Sequence, residues 1–416
     1  MKTLILGLGQ SNFLDQLYGN VKKIEPDSQF YLSNYFNISK PESADFPNIY
    51  VDNLDLKSIK ISRSNLYIYA IKFIFSLLAI QVIYFELKQK KSYKEIKQVI
   101  IKFILSKYVY TMHIEPMGFD IYHFHYCIPK FLMYSFFMPK KAKIIMSFWG
   151  SDLMRRQNNY NSFYVNKALK RAKIITVQTP ELAEKVRKKY GNEVANKIES
   201  LRFTISTDIY NNINALLLDK SKREAFKEKY LFNTDKIVVA LGHNAHKENN
   251  HIKMIDAIKK MPKEYLDKCV FLIHLGYGIK EEYIIELKRA INENNNISFI
   301  LLKDYLDPEN IALLRICTNI LIQAPVSDAL SGAMVEIMYA GNTVIAGDWL
   351  PYNILKRNNI KYYTFNTFNV LHETIKIALD KLESNRFEFA NNKIEIERFL
   401  FPETTTKEWI KLFKTV

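Results

Sequence analysis

Two carboxylates eight positions apart, Asp328 and Glu336, stand in the segment PVSDALSGAMVEIMYAGNTVI, Pro325 to Ile345. Between them lies a turn of small residues, Leu330-Ser331-Gly332, followed by an apolar pattern that Gly341 closes. Met334, Ile337, Met338 and Ala340 fit one buried face, which predicts a helix from about Ala333 with Gly341 at its stop. A helix start at Ser331 or Gly332 leaves backbone N–H groups free, and such groups bind phosphate or sugar oxygens. Glu336, inside that helix, would point along it towards whatever sits over its N-terminus. The plainer alternative is a solvated Asp in a loop and a solvated Glu on a helix. For acids at an arbitrary spacing that alternative would hold, so the surrounding elements have to decide.

Those elements alternate between strand and helix through most of the chain, which predicts parallel sheets with crossover helices. In the first half the strand candidates are Thr3–Leu8, Gln29–Leu32, Ile121–His125, Lys143–Ser147 and Ile174–Gln178. The last is followed by Thr179-Pro180-Glu181, a helix-start signal, and a helix running to Gly191. A boundary is expected near Phe203–Asn211, with a helical spacer over Asn214–Tyr230. The second half then places strands at Ile237–Leu241, Val270–Leu275, Ile297–Leu301, Asn319–Gln323 and Thr343–Ala346, separated by helices. The Asp328–Glu336 segment follows the fourth of these. Two doubly wound domains would leave a cleft between the carboxyl ends of their sheets, where such folds bind ligands. The expected domains are 1–205, 206–395 and a last helix within 396–416, its Trp409, Ile410 and Phe413 at helical spacing, packing back towards the first domain.

Composition agrees with a folded protein of two domains. The chain has 416 residues, 48% hydrophobic and 25% charged. Cys127, Cys269 and Cys317 are scattered, without the spacing of a disulfide framework or a zinc site. A reducing cytoplasm is the natural setting, and the opening MKTLILGLGQSNF reads as a first strand entering a Gly-rich loop rather than a secretory signal. With 59 Lys+Arg against 43 Asp+Glu, the net charge of +16 favours an anionic partner, although Lys- and Asn-rich coding would produce the same excess.

Leu66–Phe85 holds Lys72 as its only charge and is long enough to cross a bilayer. A crossing there would split the first sheet, so a core helix or a helix pressed into a membrane surface is expected. Lys88, Lys90, Lys91, Lys94, Lys97, Lys102 and Lys107 follow at once, a pattern that suits an anionic leaflet.

On several motifs together the chain resembles the GT-B glycosyltransferases. FDIYHFHY (Phe119–Tyr126) is similar to the family's Asp-hydrophobic-hydrophobic-His-x-His strand end. SFWGSDL (Ser147–Leu153) resembles its first-domain loop, and AKIITVQTPEL (Ala172–Leu182) the strand and helix after it. SDALSGAMVEIMYAGNTVIA is similar to the Glu-x7-Glu motif, with Asp328 in place of the first Glu. The loop LGHNAHKENNHIKMIDAI and its neighbours to Leu321 resemble the Asn-Asn-His loop of bacterial Fuc4NAc transferases, which build lipid-linked surface polysaccharide.

The resemblance implies an α/β fold of two Rossmann-like domains facing a cleft, and a nucleotide-sugar donor held in the second. Glu336 would accept hydrogen bonds from the ribose hydroxyls. Asp328 would hold donor-sugar hydroxyls or carry charge near the anomeric carbon, or else serve as a turn residue or helix cap. Ser331 and Gly332 would meet phosphate at the helix start. The family's Arg in the phosphate loop is missing: the loop reads Gly242-His243-Asn244, so His243, His246, Lys247 or backbone N–H groups must take that part. In the first domain Asp152 is the candidate base for the acceptor hydroxyl, with His125 as alternative base or sugar contact. His123, two residues earlier on the same strand, points to the same face. Gly7 and Gly9 would let the first loop approach a ligand.

The expectation is a metal-independent, hexosyltransferase-type enzyme without cofactor, acting on a glycan or lipid-linked acceptor in bacterial surface polysaccharide assembly. It would sit in the cytoplasm, at the inner face of the plasma membrane. The alternative is a non-catalytic GT-B-like partner of another transferase. A nucleic-acid partner is not expected, because the lysines are not organised around a recognition module.

Overall fold

Short aliphatic and β-branched runs, each followed by an amphipathic helix, form two parallel sheets in the computed structural model. It describes residues 1–7, 11–33, 52–54, 63–156, 158–231, 235–382, 384 and 388–416. The chain divides into two compact units, Met1–Thr204 with Thr405–Val416, and Ile205–Thr404.

The first unit contains β1 (Lys2–Leu6), β2 (Gln29–Ser33), β3 (Asp52–Leu54), β4 (Ile121–His125), β5 (Lys143–Ser147), β6 (Ile174–Val177) and β7 (Ile198–Ser200). Their order across the sheet is β3-β2-β1-β4-β5-β6-β7, all parallel. The chain therefore reverses its direction of travel between β1 and β4, the switch point at which doubly wound sheets open a crevice. The helix Pro402–Thr415 closes one face of this unit. Trp409 and Phe413 pack with Leu17, Tyr18 and Phe30, while the Trp409 indole donates to the Arg202 carbonyl at 2.7 Å.

The second unit contains β8 (Ile237–Leu241), β9 (Cys269–His274), β10 (Phe299–Leu302), β11 (Ile320–Gln323), β12 (Thr343–Gly347) and β13 (Tyr363–Phe365). The order β10-β9-β8-β11-β12-β13 is again parallel throughout, with the switch point between β8 and β11. One face carries a cluster that includes Tyr210, Ile213, Ala312, Met334 and Met338. The other carries Met254, Ile255, Leu287 and Ile375. Both faces are covered, which is why its strands read as continuous apolar runs.

Each strand expected from the sequence is present: Ile121–His125, Lys143–Ser147 and Ile237–Leu241 have the expected bounds, the others differ by one or two residues at an end, and Leu8, the expected end of the first, lies outside the described residues. β3, β7 and β13 were not expected: each is three residues long, too short for a period-2 pattern to register. Leu66–Phe85 departs more. It forms two helices, Arg63–Ile74 and Leu77–Lys88, bent by 74° at a break. Ser76 makes the break, accepting from the Ala79 N–H at 3.2 Å and donating to the Phe73 carbonyl at 2.6 Å. Phe73, Ala79 and Val82 are buried, whereas Tyr67, Ile71, Phe75, Leu77, Ile80 and Tyr84 are exposed, Phe75 at 83%. Among the described residues no single helix is long and apolar enough to cross a membrane; taken together, the bent pair has the length and composition of a span.

Candidate functional site

The switch point of the second unit gathers the acids singled out above. The helix Gly332–Tyr339 starts where expected, capped by Ser331, whose hydroxyl accepts from the Met334 N–H at 3.3 Å. The cap satisfies one orphan donor and leaves the N–H groups of Gly332 and Ala333 without an intrahelical partner. Glu336 turns back over this end: its Oε1 lies 3.6 Å from where a Cβ on Gly332 would stand. Its Oε2 accepts from Arg315 Nε at 2.7 Å, and both side chains are largely buried.

Asp328 reaches the same region from the loop after β11. Its Oδ1 accepts from the Ala329 N–H at 2.8 Å and its Oδ2 from the Tyr352 hydroxyl at 2.6 Å. The Tyr352 oxygen, having given its proton to a carboxylate, accepts from Gln323 Nε2 at 3.4 Å. This fixes the Gln323 amide, turning its oxygen towards His243 Nδ1 at 3.2 Å. His243 therefore carries its proton on Nδ1 and keeps Nε2 as a lone pair. Burial lowers the His243 proton affinity; the Asp328 carboxylate opposes that and the Arg315 charge adds to it. At ordinary pH the ring is a neutral acceptor that can still become a donor to an anion.

The phosphate-loop candidates divide. Gly242 takes φ +66, and a Cβ there would come within 3.1 Å of the Asn249 side chain, so this turn accepts only glycine without strain. Asn249 donates to Asn244 Oδ1 at 2.6 Å, Asn250 donates to the Ala324 carbonyl at 2.8 Å, and His251 Nδ1 lies 2.9 Å from the Tyr283 hydroxyl. The Asn-Asn-His run thus braces its own loop and ties it to the end of β11. His246 is exposed and packs on the Tyr277–Gly278 turn. Lys247 is exposed and paired with Glu286 at 3.0 Å, and it makes no bond to the Asp328–Glu336 cluster among the described residues. Sequence reasoning missed Arg315, Gln323 and Tyr352. The first two did carry a signal: an Arg inside the apolar run LLRIC, and a polar residue ending the apolar strand ILIQ.

The switch point of the first unit is built differently. Trp149 Nε1, which can only donate, lies 3.3 Å from His125 Nδ1. His125 Nε2 therefore carries the proton and donates to the Tyr18 hydroxyl at 2.7 Å. Tyr18 in turn donates to His123 Nδ1 at 2.7 Å, and His123 Nε2 donates to Ser147 Oγ at 2.7 Å. Ser147 passes the chain to Thr176 at 2.5 Å. His123 and His125 are fully buried, and desolvation holds His125 down at about 3. Both ring nitrogens of His125 are occupied, and a general base needs a free lone pair.

Asp152 is also fully buried. Its carboxylate accepts from the backbone N–H groups of Cys127 at 2.7 Å, Trp149 at 2.9 Å and Leu153 at 3.0 Å, stapling the loops after β4 and β5. Desolvation raises it to about 6, against those backbone donors, which lower it. Gly7, at φ +115, would place a Cβ 1.9 Å from the His125 carbonyl oxygen, so it is glycine that lets β1 and β4 end side by side. Gly9 lies outside the described residues. Among the described residues no cluster of His, Cys, Asp or Glu could hold a metal ion.

Two parallel doubly wound units with these strand orders define the GT-B fold, and solved structures of that class match the chain over its full length. A glycosyltransferase from Rickettsia africae ESF-5 matches with a TM-score of 0.67 at 12% identity, covering 100% of this chain and 97% of that one. Anabaena Alr3699/HepE in complex with UDP matches with 0.65 at 12% identity, covering 100% of both chains. A UDP-forming trehalose-phosphate synthase from Burkholderia xenovorans, in complex with glucose-6-phosphate, matches with 0.66 at 9% identity and 100% of both. No family model matches the chain, and no curated protein does.

Proposed function

We propose that the chain is a glycosyltransferase that binds a nucleotide-sugar donor at the second unit's switch point and passes the sugar to a glycan or lipid-linked acceptor. The observation that carries this reading is the convergence of Glu336 Oε1, the open N–H groups of Gly332 and Ala333, Asp328 and His243 around one helix start. A carboxylate beside unpaired N–H groups suits a ribose diol next to a phosphate. Structures of the same fold with UDP and with UDP-glucose, from Anabaena, support the donor class. No bound metal enters the proposal: protein groups neutralise the leaving diphosphate.

Calorimetry of the full chain against UDP, GDP, dTDP and CMP is the direct test. One of them is expected to bind, and Glu336→Ala to lower its affinity at least about tenfold, the worth of one charge-assisted hydrogen bond. Binding of none, or an unchanged Glu336→Ala, refutes the reading. The occupied nitrogens of His125 and the buried Asp152 favour a second reading, a donor-binding partner without transfer activity of its own. Product formation by the isolated chain would rule that out.

The acceptor side of the proposal includes an anionic membrane surface. The exposed apolar residues of the bent helix pair share it with the exposed Lys72 and Lys88, and the exposed Lys90, Lys94 and Lys97 follow in the sequence, a combination of apolar area and positive charge that interfacial helices use. Co-sedimentation with phosphatidylglycerol vesicles, weaker with phosphatidylcholine and lost in Phe75→Ser with Leu77→Ser, is the expected result. A surface role in polysaccharide assembly would follow from a lipid-linked acceptor held there.

A further inference from the structure

The phosphate loop lacks its Arg, and Lys247 is engaged with Glu286. A cation nevertheless enters the cluster from an element outside that loop. Arg315 stands near the end of the helix Pro308–Cys317 and is 8% exposed. Its Nε is fixed by Glu336 at 2.7 Å, and neither terminal nitrogen bonds a described residue. Glu336 gives Arg315 only Oε2; its Oε1 stays at the helix start without a bond to a described residue. The Arg315 charge also reaches His243, Tyr277 and His274, which line the ends of β8 and β9.

Charge balance sharpens the point. Arg315 and Glu336 offset each other, Asp328 leaves one negative charge, and His243 is neutral. A nucleoside diphosphate adds further negative charge, and among the described residues Arg315 is the permanent cation that pairs within this cluster.

We propose that Arg315 is the guanidinium that takes the donor diphosphate, replacing in space the fork missing from position 243. Glu336 aims it through Nε and keeps Oε1 for the ribose hydroxyls. Ribose and diphosphate are adjacent in the donor, so one buried ion pair serves both. The planar fork explains why an Arg rather than a Lys occupies this place: with Nε committed, two further donors remain in fixed directions for phosphoryl oxygens. The inference rests on the donor-site reading above.

The test uses the full chain, Arg315→Lys and Arg315→Gln, with the melting temperature of each recorded. Each is titrated with the nucleoside diphosphate that wild type binds, among UDP, GDP and dTDP, by calorimetry. The matching nucleoside is followed by saturation-transfer NMR, and inorganic pyrophosphate is used as a competitor. The expected result is a loss of about 10- to 100-fold for the diphosphate, the range of one or two charge-assisted hydrogen bonds. Nucleoside affinity should stay within about twofold, and pyrophosphate should no longer compete; the ratio of the two affinities is what a diphosphate contact moves. Equal losses for nucleoside and diphosphate would mean that Arg315 only positions Glu336, and would overturn the proposal. Unchanged diphosphate affinity would overturn it as well. Should Arg315→Gln fail to fold, Arg315→Lys decides alone, because it keeps the charge beside Glu336. A wild-type chain that binds none of UDP, GDP, dTDP and CMP overturns the donor-site reading and this inference together, whereas binding of CMP alone, or normal wild-type diphosphate binding with unaffected variants, overturns only the role of Arg315.

Discussion

The two switch points share a topology and differ in what fills them. Between β1 and β4, Trp149, His125, Tyr18, His123, Ser147 and Thr176 form one directed chain of hydrogen bonds, buried along most of its length. Between β8 and β11, the chain from Asp328 through Tyr352 and Gln323 ends at His243, whose Nε2 has no partner among the described residues. The first network is closed, so its groups specify the packing of the loops. The second is open at one end, so its groups can meet a ligand. Position at a switch point therefore does not by itself make a residue functional; whether its polar atoms are already spent does.

The largest test of the closed network is Gly7→Ala. A Cβ there collides with the His125 carbonyl oxygen and the backbone sits at positive φ. A loss of about 3 kcal/mol or more is expected in urea unfolding. A loss below 1 kcal/mol would show that β1 and β4 are not held this close.

Next comes a matched pair. Tyr18→Phe strands two buried imidazoles and should cost about 2–3 kcal/mol of stability, with nucleotide affinity unchanged. Tyr352→Phe frees Asp328, which is only half-buried and can take water, so about 1 kcal/mol of stability is expected to go. It also releases the Gln323 amide that sets the His243 tautomer, so nucleotide affinity should fall several-fold. Reversed outcomes would break the distinction between the two sites.

The smallest effect is the slope of stability with pH. His123 and His125 have lowered proton affinity in the folded chain, so the unfolded chain binds more protons below the ordinary histidine range and stability falls with falling pH. Asp152 is raised to about 6, so between there and the usual Asp range the folded chain holds the extra proton, which offsets one histidine. From pH 6 towards 4 this unit should thus lose about 1.4 kcal/mol per pH unit, one net proton. Chemical denaturation at stepped pH, with Trp149 and Trp409 fluorescence, measures it. A flat profile would mean that the buried imidazoles are hydrated.

Much of the fold was legible because a buried parallel strand leaves an apolar run and a following helix leaves a 3.6-residue period. The start of the helix at Gly332 was legible from Ser331, since a cap is a local interaction. The three-residue strands were not, because pairing with a neighbour, rather than any pattern of their own, makes them strands. The break at Ser76 shows the limit on the helical side: composition runs through it, and one side chain bonding the backbone ends the helix.

The sequence by itself determined the alternating elements, the acids eight residues apart and the absence of an Arg at position 243. Only the tertiary structure decided that Arg315, in a helix before β11, meets Glu336, and that Asp328 is joined through Tyr352 and Gln323 to His243. It likewise decided that His125 and Asp152 are enclosed. The reason is the same in each case: a side chain's type sets which bonds it can make, but which of them remain unmade depends on groups distant in the chain.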